Sequence, residues 1–158
     1  MVATRKQTAR LAVWSAEVVL VCALNMLGRA PASFPPIVMI DRAPAIVTAG
    51  AEGFVRENDP HIYLVTSGSN FREARASGTR CGSTNAIRKI ASVLIHEEAH
   101  LRQGADEETA YRAQLTMLTA LGAGVGSPPY LETLRAMRHT VAQQRRRPVP
   151  ALIASSTP

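Results

Sequence analysis

Apolar residues recur along this chain with two periods, one helical and one of strand type. Residues 11–28 are mostly apolar, and Leu11, Trp14, Val18, Val21, Leu24 and Leu27 repeat at helical spacing. That stripe predicts a helix packed on a sheet. Prolines across 31–36 end it. The Ile-Val-Met-Ile run at 37–40 predicts a short buried strand, 52–56 a second, and 61–66 the clearest one, with both faces covered. Glu57-Asn58-Asp59-Pro60 marks the turn between the last two. Residues 67–85 are polar, with one short helical turn at 71–76. Thr84 or Asn85 then caps a helix over 86–103, which Gly104 stops. Asp106 caps a second helix reaching about residue 121. Gly122, Gly124 and Gly126 break the pattern before a last helix over 128–144. The order predicts an α+β fold with a small sheet of two to three strands and helices on one side. The expected organisation is a basic tail at 1–10, one domain at 11–144, and an Arg- and Pro-rich tail at 145–158.

The helix at 86–103 carries the chemistry. Within it, His96-Glu97-Glu98-Ala99-His100 is an H-E-x-x-H pattern approached by the apolar run 91–95. Histidines four apart stand one above the other on a helix face, so both can bind one metal ion. The intervening glutamate is placed to act on a zinc-bound water. Ile90, Val93, Leu94, Glu97, His100 and Leu101 share the inner stripe, so Glu97 and His100 interrupt an apolar surface. Burying an unpaired carboxylate costs several kcal/mol, and a nearby cation removes that cost. Zinc held by two histidines needs a third protein ligand and an open position. Asp106, Glu107 and Glu108 follow directly, and Gly104 lets the chain reverse toward His100. Glu107 lies on the stripe with Ala110, Tyr111, Gln114, Leu118 and Leu121, which puts it on the inward side; Asp106 and Glu108 are the alternatives.

His96-Glu97-x-x-His100 followed by Glu107-x-x-Ala110 resembles the gluzincin pattern of the zincin metallopeptidases. The resemblance implies His96, His100 and Glu107 as ligands of Zn2+ and Glu97 as general base for peptide-bond hydrolysis. It also implies a minimal zincin-like domain whose sheet lies over the motif helix and binds an extended peptide along its edge strand. It covers residues 96–111 only. The third ligand stands closer to His100 than gluzincins usually place it. In the metzincin register the ligand would be Asp106, but Gln103 then occupies the glycine position and no Met-turn is evident.

The formal charge of +6 does not alter this reading. Arg5, Lys6, Arg10, Arg145, Arg146 and Arg147 lie toward the two ends; without them 12 basic residues balance 12 acidic ones. A neutral folded part without a basic, aromatic-bearing face predicts no nucleic-acid partner. Cys22 and Cys81 are too few and too far apart for a framework and predict two unpaired thiols in a reducing compartment. A cytoplasmic location follows, with no stable membrane span. The alternative is an exported protein, with residues 1–32 as a signal peptide, or one anchored through residues 11–28. Glu17 and Asn25 inside the apolar run oppose a span. Glu52 and Glu57 are expected to be solvated, and His61 to be structural or on the surface. Tyr63, Tyr111, Tyr130 and His139 are the candidate oxyanion donors. No nucleophile elbow or phosphate loop is present. The expected function is therefore a zinc metallopeptidase acting on a peptide or unfolded segment, against a non-catalytic zinc- or peptide-binding protein on the same scaffold.

Overall fold

A computed structural model describes residues 15–77, 81 and 84–146. Both expected terminal tails, apart from Arg145 and Arg146, lie outside the described residues, as do Leu11 and Trp14. The chain forms helix α1 (Ala16–Met26), a short 3-10 turn (Pro31–Ser33), strands β1 (Ile37–Ile40), β2 (Gly53–Val55) and β3 (Ile62–Val65), then helices α2 (Ser69–Ala76), α3 (Asn85–Gln103), α4 (Glu107–Ala120) and α5 (Pro128–Arg146). Among the described residues the architecture is α+β, with five helices and one three-stranded sheet. Arg145 and Arg146, expected in the tail, extend the last helix.

The sheet order is β1-β3-β2. β1 runs parallel to β3, and β2 pairs antiparallel on its other side, with Gly53 opposite Leu64 and Val55 opposite Ile62. β2 is thus an edge strand. Ile62 and Leu64 point into the core, while Tyr63 stacks flat on Phe54 on the other face, with ring centres 4.9 Å apart. The guanidinium of Arg56 covers the Tyr63 ring at 4.3 Å.

α3 is the central element: eleven of its nineteen residues are buried, and it packs against α1, α2, α4, α5, β2 and β3. Thr84 caps its start by accepting from the Ile87 N–H at 3.2 Å. Gly104 ends it in the left-handed region at φ 59°, and the Ala105 N–H returns to the Ala99 carbonyl. Only three residues separate the helices, and the last of them, Asp106, already caps α4 by accepting from the Thr109 N–H at 2.8 Å. The inward stripe of α4 is Ala110, Gln114 and Leu118, and Gln114 donates to Ser92 of α3 across the interface.

Two expectations are corrected in α1. Its buried side holds Val19, Cys22, Ala23 and Leu24, while Val18 and Val21 of the expected stripe are exposed. Nearly every residue of α1 is apolar, so the periodicity does not define a unique inward face. Moreover, Cys22 and Cys81 are joined in a disulfide and are not free thiols. Helix packing brings together two cysteines that are 59 residues apart in sequence, which spacing does not reveal. The bond removes the basis for expecting a reducing compartment. No helix among the described residues is long and apolar enough to cross a membrane.

Closing a loop of 59 residues stabilises a fold by about 4 kcal/mol, chiefly through the unfolded chain. Replacing both cysteines by serine is expected to lower stability by about that amount, read from denaturant melts. Equal midpoints for the variant and the oxidised parent would contradict the pairing.

Candidate metal centre

His96 and His100 lie one turn apart on α3, and the tight Gly104 reversal brings the first residue of α4, Glu107, to face them. Their donor atoms converge. His96 Nε2 and His100 Nε2 are 3.1 Å apart, His96 Nε2 lies 3.5 Å from Glu107 Oε2, and His100 Nε2 lies 3.6 Å from Glu107 Oε1. Ligands about 2.1 Å from a tetrahedral ion stand about 3.4 Å apart, so this donor set could hold a metal ion. His100 Nδ1 is 2.8 Å from the Ala105 carbonyl. A carbonyl can only accept, so Nδ1 carries the proton and Nε2 offers its lone pair to the common point. The same Gly104–Ala105 turn therefore both reverses the chain and orients a ligand. His96 Nδ1 is buried without a hydrogen-bond partner.

Asp106 and Glu108 are committed elsewhere. The Asp106 carboxylate caps α4, and Glu108 pairs with Arg112 at 2.6 Å on the exposed side. Among the described residues, His96, His100 and Glu107 form the sole group of three or more His, Cys, Asp or Glu donors able to share an ion.

Electrostatics match this convergence. The two facing imidazoles hold Glu107 down at about 2. Glu107 in turn raises His100, whereas burial lowers His96. Glu97, on the same helix, is 5% exposed, and burial pushes its carboxyl up to about 8.

These residues line a cleft of about 450 Å³ together with Val93, Tyr111, Gln114, residues 47–55, and Glu132, Ala136, His139 and Thr140 of α5. The edge strand presents its backbone here. The Val65 N–H donates to the Glu52 carbonyl at 2.9 Å, which makes Glu52–Val65 and Phe54–Tyr63 the hydrogen-bonded pairs of the ladder. By alternation, Gly53 and Val55 direct their N–H and C=O groups away from β3, to the free edge.

Of the candidate oxyanion donors, Tyr111 and His139 line the cleft; the Tyr111 ring meets His96 edge-on with centres 4.5 Å apart. Tyr63 and Tyr130 do not line it, and the Tyr63 hydroxyl donates to Asp59 at 2.7 Å. His61 also pairs with Asp59, at 2.6 Å. Glu52, expected to be solvated, is largely buried; it sits 3.7 Å from the buried ammonium of Lys89 and accepts from Asn70 at 2.7 Å. Glu132 lies 3.6 Å from the same ammonium, and Thr133 accepts from it at 2.7 Å. This polar wall at one end of the cleft escapes sequence reading because it joins four separate elements. Its one trace is Lys89, two turns before His96 on the same helix.

In metal-free protein the raised Glu97 carboxyl has a definite pH signature. The folded state holds this proton more tightly than the unfolded chain does, so stability falls as pH rises from about 4.5 to about 8. Glu97→Gln, a neutral isostere, is expected to match the parent near pH 4 and to exceed it by a growing margin up to pH 8 in chelator-treated melts. A constant margin across that range would show that Glu97 is not held protonated by burial.

Comparison of the chain with protein-family models, with curated proteins and with solved structures returned no match.

Proposed function

We propose that this protein is a zinc-dependent metallopeptidase with a minimal zincin-like domain, and that it hydrolyses an extended peptide or unfolded segment. The observation that carries the reading is the arrangement around α3. Three converging donors from two helices share one cleft with a buried carboxylate and with the free edge of a strand. A structural zinc site is closed by four protein ligands, whereas a hydrolytic site keeps a position open. Three donors fit the second kind.

His96, His100 and Glu107 would hold the ion. When bound, zinc supplies a Lewis acid that polarises a carbonyl, lowers the pKa of a water to about 7 and sets a positive charge beside Glu97. Glu97 is the general base; it takes a proton from the attacking water and passes it to the leaving amine. Gly53 and Val55 offer backbone donors and acceptors two residues apart, the spacing at which an extended peptide can add to a sheet edge. Tyr111 or His139 donates to the developing oxyanion. The Cys22–Cys81 disulfide supports an oxidising compartment as the place of action.

Zinc titration by calorimetry is expected to give one site per chain. Alanine at His96, His100 or Glu107 should weaken it by more than about 100-fold, while Asp106→Ala and Glu108→Ala stay within a few-fold of the parent. Equal losses at Asp106 would move the third ligand there. Glu97→Gln is expected to keep zinc and lose about 10²- to 10⁴-fold in kcat on a quenched peptide library. Parent and Glu97→Gln proteins that bind zinc alike and cleave nothing would instead support a non-catalytic zinc- or peptide-binding role.

A further inference from the structure

The Glu97 carboxylate has no hydrogen-bond or ion-pair partner among the described residues, yet its side chain is buried in the cleft wall. Packing must therefore hold it in place. The closest packing neighbour is unusual: a Cβ added to Gly53 would lie 2.9 Å from Val93 Cγ1, 3.0 Å from Glu97 Cγ and 3.1 Å from Glu97 Oε1. The Val93 contact is closer than real Cβ atoms come and the Glu97 contacts are tighter than nearly all of them, so a side chain at residue 53 would force both Val93 and Glu97 to shift. Backbone conformation does not explain the glycine, since Gly53 is not among the residues with positive φ and sits in a regular antiparallel ladder. Close approach remains as its reason. The same residue turns its N–H and C=O to the free edge of β2.

We propose that Gly53 is the positioning residue for Glu97. It fixes the general base by contact and, through its outward backbone, sets the distance between that base and a peptide added to the edge strand. This inference rests on the peptidase reading for its catalytic consequence, but not for the contact itself. A side chain at position 53 displaces Val93 and shifts the Glu97 side chain by a few tenths of an ångström, while His96, His100 and Glu107 are not among its nearest contacts.

The test uses Gly53→Ala in the full chain. Zinc affinity is expected to stay within about twofold and KM within about threefold, because the ligands and the backbone groups at residue 53 remain. The expected fall in kcat is about tenfold, short of the roughly 100-fold that a full ångström costs, because Glu97 shifts by a few tenths of an ångström. Gly53→Ala/Val93→Ala removes the tightest clash and guards against a folding defect; kcat should remain low in this pair. Recovery of kcat on trimming Val93, or an undiminished kcat in Gly53→Ala, would overturn the proposal. A stability cycle reads the contact independently of turnover. In zinc-free melts, Gly53→Ala should cost less in a Glu97→Ala background than in the parent, and equal costs would also overturn it. If the parent cleaves no peptide, the peptidase reading falls, and the cycle alone decides whether Gly53 seats Glu97.

Discussion

A helix buried on nearly every side cannot carry an ammonium, an imidazole and a carboxylate on its inward surface without compensation, and α3 carries all three. Lys89, His96 and Glu97 are each less than a tenth exposed. Burial of isolated charge costs several kcal/mol per group, so each needs a partner, a neutral form or a cation nearby. Lys89 has its answer within the protein, between Glu52, Glu132 and the Thr133 hydroxyl. His96 is kept toward its neutral form, which is the form that offers a lone pair to a metal. Glu97 has no hydrogen-bond or ion-pair partner among the described residues, and the nearby His100 lowers its carboxyl less than burial raises it. Without a cation the carboxyl stays protonated well above the usual range. A positive charge close to Glu97 would relieve this, and the neighbouring His96, His100 and Glu107 form a group that could hold one.

How that donor set forms is a matter of three residues. Gly104 takes the left-handed conformation, Ala105 returns its N–H to the helix end and its carbonyl to His100, and Asp106 begins the next helix. A longer connection would leave Glu107 free to point elsewhere. Here the end of α3, the orientation of His100 and the start of α4 are one structure, so the third donor is set by backbone geometry. The small, fully buried Ala110 one turn on lets α4 lie close against α3 and keeps Glu107 within reach.

This explains why the sequence was informative around residues 84–121 and less so elsewhere. Caps, a C-terminal glycine and the H-E-x-x-H spacing are local signals, each tied to backbone hydrogen bonds a few residues away. They placed α3 and α4 to within a residue or two. The strands were found for the same reason, as short β-branched runs. What could not be read depends on contacts between distant segments. The Cys22–Cys81 bond and the Glu52–Lys89–Glu132 wall exist only once the helices have packed. The inward face of α1 was misassigned because a helix that is apolar on all sides has no preferred phase. Gly53 was visible as a glycine in a strand, but its meaning required the position of Glu97.

A site carried mainly by one helix and the turn after it needs that helix held at both ends, and the segment around α1 does this. Near the start of α3, the disulfide ties Cys81 to Cys22 of α1. Near its end, Arg29, just beyond α1, binds both carboxylate oxygens of Glu98, one of them at 2.9 Å, while its guanidinium lies over the Phe34 ring at 3.9 Å. Arg102 adds a second contact to Glu98 at 3.1 Å. Glu98 is thus distinguished from its neighbour Glu97 by direction alone: one carboxylate faces outward to two guanidiniums, the other inward to the cleft. The adjacent glutamates differ in what they meet, Glu98 pairing with Arg29 and Arg102 and Glu97 lining the cleft. A covalent tie at one end and a bidentate, partly buried ion pair at the other restrain both translation and rotation of α3.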